Sequence, residues 1–215
     1  MEKDLSNYRK SYERAALIKR NSPENPMELF QTWFYDADSD NSIDEANVMH
    51  IATNCPDGYP KNRVVLLKRF TWEGFIFYTN YESEKGKAIA RNPKVALTFF
   101  WHSLERQIII KGKAEKIAEN LSDGYFESRP RGSQLGAWAS HQSEVIGSRK
   151  EMDDKLKFYE EKFDNIEIPR PEYWGGYIVK PISVEFWQGR PNRMHDRIRY
   201  TLQEDYNWKL ERLQP

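Results

Sequence analysis

The sequence is poor in several features that would define a protein class at once. Cys55 is the only cysteine among 215 residues. One cysteine excludes an intramolecular disulfide and a cysteine-rich zinc site, and it is consistent with a reducing compartment. Neither sign of charge is in excess, since 33 Lys and Arg balance 33 Asp and Glu. A dedicated nucleic-acid binder would carry a basic surplus, so no nucleic-acid partner is expected. Long apolar runs are missing. Val95 to Trp101 is among the longest, far short of the roughly 18 residues needed to span a bilayer. Met1 to Lys10 is charged and has no apolar stretch, unlike a secretory signal. A cytoplasmic protein with no membrane partner is expected. His50, His102, His141 and His195 form no HExxH or paired-ligand spacing, so no metal site is expected. There is no GxSxG elbow and no GxGxxG fingerprint. Cys55, in Asn54-Cys55-Pro56-Asp57, has no basic neighbour to activate it.

Aromatic residues, by contrast, are plentiful. They make up 14% of a chain whose mean hydropathy is −0.86. A hydrophilic chain rich in aromatics points to stacking surfaces or interfaces beside an ordinary core.

The pattern along the chain is mostly strand. Residues 1–20 read as a charged terminal arm or exposed helix. Asn25-Pro26-Met27-Glu28 carries a helix-start signal, followed by Leu29, Phe30 and Trp33 at helical spacing. Val48 to Thr53, Asn62 to Phe70 and Gly74 to Thr79 read as strands, the last two forming a hairpin. Ser83 caps a short helix through Arg91, and Val95 to Trp101 and Arg106 to Lys116 are further strands. Leu121 to Arg129 reads as a helix stopped by Pro130, and Ser148 with Glu151 opens another with Met152, Leu156, Tyr159 and Phe163 on one face. Strands return at Gly176 to Val179, Ser183 to Gln188, Met194 to Leu202 and Asn207 to Leu213. Strands in near-sequence hairpins with interspersed helices do not give βαβ alternation. The expectation is a single domain over 1–215, mainly β with helices (α+β), an antiparallel barrel with helical decorations.

Four polar constellations stand out. The densest runs from Trp187 to Arg197. If 193–197 is extended, Arg193, His195 and Arg197 share one face, and an anion among them would relieve their repulsion. The plain alternative is a solvated edge in which Asp196 pairs an arginine. In Arg63-Val64-Val65-Leu66-Leu67-Lys68 the two cations face opposite sides of a regular strand unless a bulge intervenes. Tyr125 and Arg129 share a helical face next to Ser133, a donor set suited to a phosphate monoester, or else a helix end with favourable cations. Ser83-Glu84-Lys85-Gly86-Lys87 opens a helix, where exposed N–H groups suit a phosphate, but the run lacks a glycine-rich loop.

Val184-Glu185-Phe186-Trp187-Gln188 followed by Arg193-Met194-His195-Asp196-Arg197 resembles the C-terminal signature of the pyridoxamine 5′-phosphate oxidase family. Further matches cover essentially the whole chain, among them Phe77 to Asn80, Leu104 to Gln107, Ser128 to Arg131, Gln134 to Trp138, Trp174 to Gly176 and Arg212 to Pro215. The resemblance implies an FMN-binding split β-barrel that forms a homodimer with FMN at the subunit interface. It implies oxidation of pyridoxamine or pyridoxine 5′-phosphate to pyridoxal 5′-phosphate by O₂. FMN contacts are implied for Arg63, Val64, Val65, Leu66, Leu67, Lys68, Tyr78, Thr79, Lys85, Gln107, Gln142, Ser143, Trp187 and Arg197. Substrate contacts are implied for Lys68, Tyr125, Arg129, Ser133, Arg193 and His195, with Arg193 and His195 nearest the chemistry. Arg9 and Tyr12 match an arm, within residues 1–20, that closes over the substrate. The family usually has arginine before the helix-start lysine, where this chain has Glu84. Its carboxylate is expected to turn outward, leaving Lys85, Arg63 and Ser143 to hold the phosphate, with weaker FMN binding as the risk. The competing readings are a split-barrel flavin enzyme acting on another ring compound, and a non-catalytic carrier of FMN or pyridoxal phosphate.

Overall fold

The computed structural model describes Met1 and residues 3–215. The chain forms two compact units. One comprises Met1–His50, Leu97–Lys111 and Pro181–Pro215, the other Ile51–Ala96 and Gly112–Lys180. Among the described residues nine strands form one sheet: β1 (Val48–Asn54), β2 (Pro60–Leu66), β3 (Arg69–Thr71), β4 (Gly74–Asn80), β5 (Lys94–Trp101), β6 (Arg106–Lys116), β7 (Trp174–Gln188), β8 (Asp196–Leu202) and β9 (Trp208–Leu213). Their order is β2-β1-β5-β6-β7-β4-β3, and β8 pairs with β7 and β9. The β3–β4, β4–β7, β7–β8 and β8–β9 ladders are antiparallel. No helix among the described residues is long and apolar enough to cross a membrane.

In the first unit, α1 (Pro26–Asp38) starts where its sequence signals it: Asn25 Oδ1 accepts the Met27 N–H at 2.9 Å and Pro26 occupies the first turn. The helix buries Phe30 against Phe99 and Trp33 against Phe186, with ring centroids 5.3 and 5.2 Å apart. Tyr200 adds an edge contact to Phe186.

The second unit holds α2 (Glu84–Arg91), α3 (Glu119–Glu127), α4 (Arg131–Ala139) and α5 (Arg149–Lys162). One apolar cluster there joins Phe126, Leu135, Phe163, Ile168 and Trp174. Ser83 caps α2 by accepting the Gly86 N–H. A Cβ on Gly86 would lie 2.0 Å from the Tyr81 carbonyl oxygen, so only glycine allows this close entry into the helix.

Four expectations change. The strand read over 62–70 breaks at Leu67-Lys68: Leu67 is buried, and the Lys68 N–H bonds to the Ile76 carbonyl at 2.8 Å. The two strand runs read around Pro181 are one strand, β7. Residues 174–179 of β7 pair with β4 and residues 183–188 with β8, so neither ladder needs the N–H that Pro181 lacks. Pro130 ends one helix and also caps the next, α4. Finally, 193–197 is not extended throughout. Asn192 and Arg193 have φ of 57° and 60° in a short turn after Pro191, and β8 begins at Asp196. Simple alternation therefore does not put Arg193 on a face with His195 and Arg197.

Candidate active site

A cavity of about 500 Å³ opens in the second unit. The break after β2 turns Lys68 into it beside Val64, Val65 and Leu66, β4 supplies Tyr78 and Thr79, and α2 supplies Lys85. Tyr125 and Arg129 enter from the end of α3, Ser133 from the first turn of α4, and Gln142 from the segment after it. Eleven of the residues singled out from the sequence thus line one space.

Two cationic groupings define its electrostatics. In the first, the Lys85 ammonium donates to Gln142 Oε1 at 2.9 Å, Thr79 Oγ1 at 3.1 Å and Ser83 Oγ at 3.2 Å. All three partners are neutral. Burial, with the nearby Arg63 guanidinium as a lesser cause, brings the Lys85 pKa down to about 8. Arg63 donates from Nη1 to Thr53 Oγ1 at 2.6 Å, while its Nη2 is buried with no partner among the described residues. A buried lysine held by neutral partners, a guanidinium N–H with no partner among the described residues and the start of α2 together form a cradle suited to an anion. The phosphate of FMN fits this donor set. Glu84 does not compete: its carboxylate accepts from Lys61 Nζ at 2.5 Å, and that bond, more than any other cause, holds its pKa below the usual range.

The second grouping is Lys68, Arg129 and Ser133. Arg129 Nη1 is buried with no partner among the described residues, and burial lowers the guanidinium pKa. The wall here is aromatic. Tyr78 stacks on Tyr125 with centroids 3.9 Å apart, and Trp174 lies nearly parallel to both at 5.6 and 6.1 Å. Burial and the neighbouring Tyr125 raise the Tyr78 pKa, so its hydroxyl stays protonated.

The remaining residues singled out lie elsewhere. Leu67 is buried, and Ser143 is exposed with φ of 77°. Gln107 is half-buried in β6. The first unit holds Trp187, Arg193, His195 and Arg197. His195 sits 4.6 Å from the Trp187 ring, and its Nδ1 accepts the Arg190 N–H at 3.1 Å. That bond leaves Nε2 to carry the proton of the neutral ring. Burial first, then Arg193, lowers the His195 pKa. Arg197 pairs with Glu185 at 2.7 Å. Asp196 pairs with Arg212 at 2.6 Å and accepts the Leu17 N–H at 3.1 Å. Tyr12 stands edge-on to Trp187 at 5.8 Å, whereas Arg9 is exposed and donates to the Ser6 carbonyl.

Sequence reasoning missed Glu105 and Trp174 as parts of this arrangement. Glu105 is buried at φ of 55° and receives the arm through the Arg14 N–H at 3.0 Å and Lys10 at 3.6 Å. An acidic residue between Leu104 and Arg106 gives no sign of burial. Trp174 did have a signal: an aromatic residue directly before Gly175-Gly176 at the start of a strand.

Residues 37–161 match the family model of pyridoxamine 5′-phosphate oxidase, and residues 174–215 match the C-terminal dimerisation region of pyridoxine 5′-phosphate oxidase. The chain belongs to the pyridoxamine 5′-phosphate oxidase family. It is 64% identical over 213 residues to the pyridoxine/pyridoxamine 5′-phosphate oxidase of Flavobacterium psychrophilum, covering 99% of this chain and all of that protein. The corresponding oxidase of Trichormus variabilis is 47% identical over the full length of both. Among solved structures, PhzG from Burkholderia lata, in complex with tetrahydrophenazine-1-carboxylic acid, superposes with a TM-score of 0.85 at 27% identity, over 93% of this chain and 98% of that one. The sheet is thus the split barrel of an oxidoreductase family, and membership of it supports FMN as the cofactor. The match to the dimerisation region supports a homodimer.

Proposed function

We propose that this protein oxidises pyridoxamine 5′-phosphate or pyridoxine 5′-phosphate to pyridoxal 5′-phosphate, as a homodimer with FMN at the subunit interface. O₂ is the final acceptor, and H₂O₂ is released, with ammonia from the amine. The observation that carries this reading is the pair of unneutralised cationic groupings, around Lys85 and around Arg129, in one cavity with an aromatic wall. A flavin phosphate and a substrate phosphate each need such a grouping. The pyridine ring of the substrate suits the aromatic wall beside Arg129.

Bound FMN supplies what no side chain can, acceptance of two electrons from C4′ of the substrate and their passage to O₂. The chain's own groups bind and orient. Lys85, at the start of α2, and Arg63, from β2, hold the flavin phosphate, assisted by Gln142 and Thr79. Trp187 and Arg197 are assigned to the flavin as well. Lys68, Tyr125, Arg129 and Ser133 hold the substrate phosphate. Such fixation is worth several kcal/mol of barrier. Arg193 and His195 are assigned to the C4′ end. Arg193 stays charged and orients. His195, neutral with Nε2–H, donates a hydrogen bond or handles a proton. Water completes the amine reaction by hydrolysing the imine to aldehyde and ammonia.

The FMN-loaded protein, given pyridoxamine 5′-phosphate in air, should form aldehyde and peroxide in equal amounts. Stoichiometric flavin binding with neither product would overturn the reading in favour of a carrier. The likeness to PhzG keeps a second reading in view, a flavin enzyme acting on another ring compound. Turnover of an unphosphorylated ring compound in preference to the phosphate ester would favour that reading.

A further inference from the structure

Arg129 is a half-buried cation whose Nη1 is itself buried. Its Nη1 has no hydrogen-bond partner, and no carboxylate pairs with its guanidinium among the described residues. Half-buried Arg170 in the same unit is, by contrast, tied to Asp123 at 2.6 Å and to the Trp174 carbonyl at 2.7 Å, and Arg63, which also has one unpartnered N–H among the described residues, is still held by Thr53 Oγ1 at 2.6 Å. What Arg129 has is aromatic. Its guanidinium carbon lies 4.6 Å from the Trp174 ring centre and 5.6 Å from that of Phe126. Trp174 is itself fixed. It is 7% exposed, pairs with Asn80 at the start of β7 and packs edge-on to Phe126 at 5.2 Å.

This substitution of a ring for a carboxylate has a chemical consequence. A carboxylate would hold the guanidinium equally well but would neutralise it and occupy the N–H groups a phosphate needs. An aromatic face offsets part of the burial cost through its quadrupole, restricts the rotamer and takes none of the N–H donors. We propose that Trp174 is a positioning and specificity-determining residue, holding the Arg129 guanidinium in place, unneutralised, for the phosphate of the substrate. The proposal rests on the reading of Arg129 as a substrate-phosphate ligand.

The test is a double-mutant cycle on the FMN-loaded protein, read as the Kd of pyridoxal 5′-phosphate by absorbance titration, with the Kd of FMN measured in parallel. W174L should weaken pyridoxal 5′-phosphate about tenfold, in line with the loss of a partly desolvated cation–π contact, while FMN binding changes less than about twofold. W174F, which keeps an aromatic face, should restore most of the affinity. In an R129M background the W174L effect should vanish. If W174L does not fold, W174F carries the test, with about threefold weakening expected beside Arg129 and none beside Met. Equal weakening in both backgrounds would overturn the proposal alone, as would parallel loss of FMN affinity. A wild-type protein that holds FMN but takes no pyridoxal 5′-phosphate would overturn the reading of the cavity, and the proposal with it.

Discussion

Lys61 and Glu84 face each other at 2.5 Å, β2 to the first residue of α2, with the lysine 55% and the glutamate 39% exposed. The carboxylate that stands one residue before Lys85 is thereby turned toward solvent, as the proposed phosphate site at Lys85 requires. Because an exposed pair of this kind contributes little, Glu84→Gln should change the Kd of FMN by less than about threefold. A flavin fluorescence titration decides this. Tightening by tenfold or more would mean that the carboxylate does reach the phosphate.

With Lys85 holding the flavin phosphate as proposed, flavin binding should be pH-dependent. Its pKa in the flavin-free protein is about 8, below the ordinary 10.5 because burial disfavours the charged form. Below pH 8 the ammonium is already charged and ready for an anion. Above pH 8 binding must first take up a proton, so affinity falls by up to about tenfold per pH unit. The phosphate itself loses its second proton near pH 6. FMN affinity should therefore be flat between about pH 6 and 8 and weaken above that. Lys85→Met should remove the alkaline fall and lower affinity throughout. A Kd unchanged to pH 10 in the wild type would contradict the assignment.

Gly189 sets how closely the arm approaches Trp187. A Cβ there would lie 2.8 Å from both Cβ and Cγ of Tyr12. In Gly189→Ala the arm should give way rather than the buried strand, because an overpacked contact costs about 1–3 kcal/mol and the described residues before Lys19 form no helix or strand. Expected results are faster proteolysis within residues 1–20, a severalfold higher KM and an unchanged FMN Kd. Loss of FMN binding would show that the strand had moved instead.

His195 should titrate below the ordinary histidine value of 6.5, since burial and then Arg193 both disfavour its charged form. NMR of the ring protons gives the midpoint directly. Arg193→Met should move it part of the way back up and leave the burial contribution in place. A midpoint above 6.5 in the wild type would place an unseen anion beside the ring.

Much of this was readable from local chemistry. The caps at Asn25, Ser83 and Ser148 each accept the N–H their sequence contexts suggest, because capping is decided within a few residues. Eleven of the residues singled out share one cavity. Helix α4 was missed because Gly132 and Gly136 depress helix propensity, and packing of Leu135 and Ala139 outweighs that. The left-handed turn at Asn192 and Arg193 and the contact of Trp174 with Arg129 depend on tertiary neighbours. No spacing rule in the sequence encodes either.

The central claim is that the cavity selects a phosphate ester for oxidation. Oxygen consumption by the FMN-loaded protein with pyridoxamine 5′-phosphate and with unphosphorylated pyridoxamine tests it most directly. Two charge-assisted contacts, from Lys68 and Arg129, predict a kcat/KM at least about a hundredfold higher for the ester, a preference that Arg129→Met should largely abolish. Equal kcat/KM values for the two compounds would contradict the account.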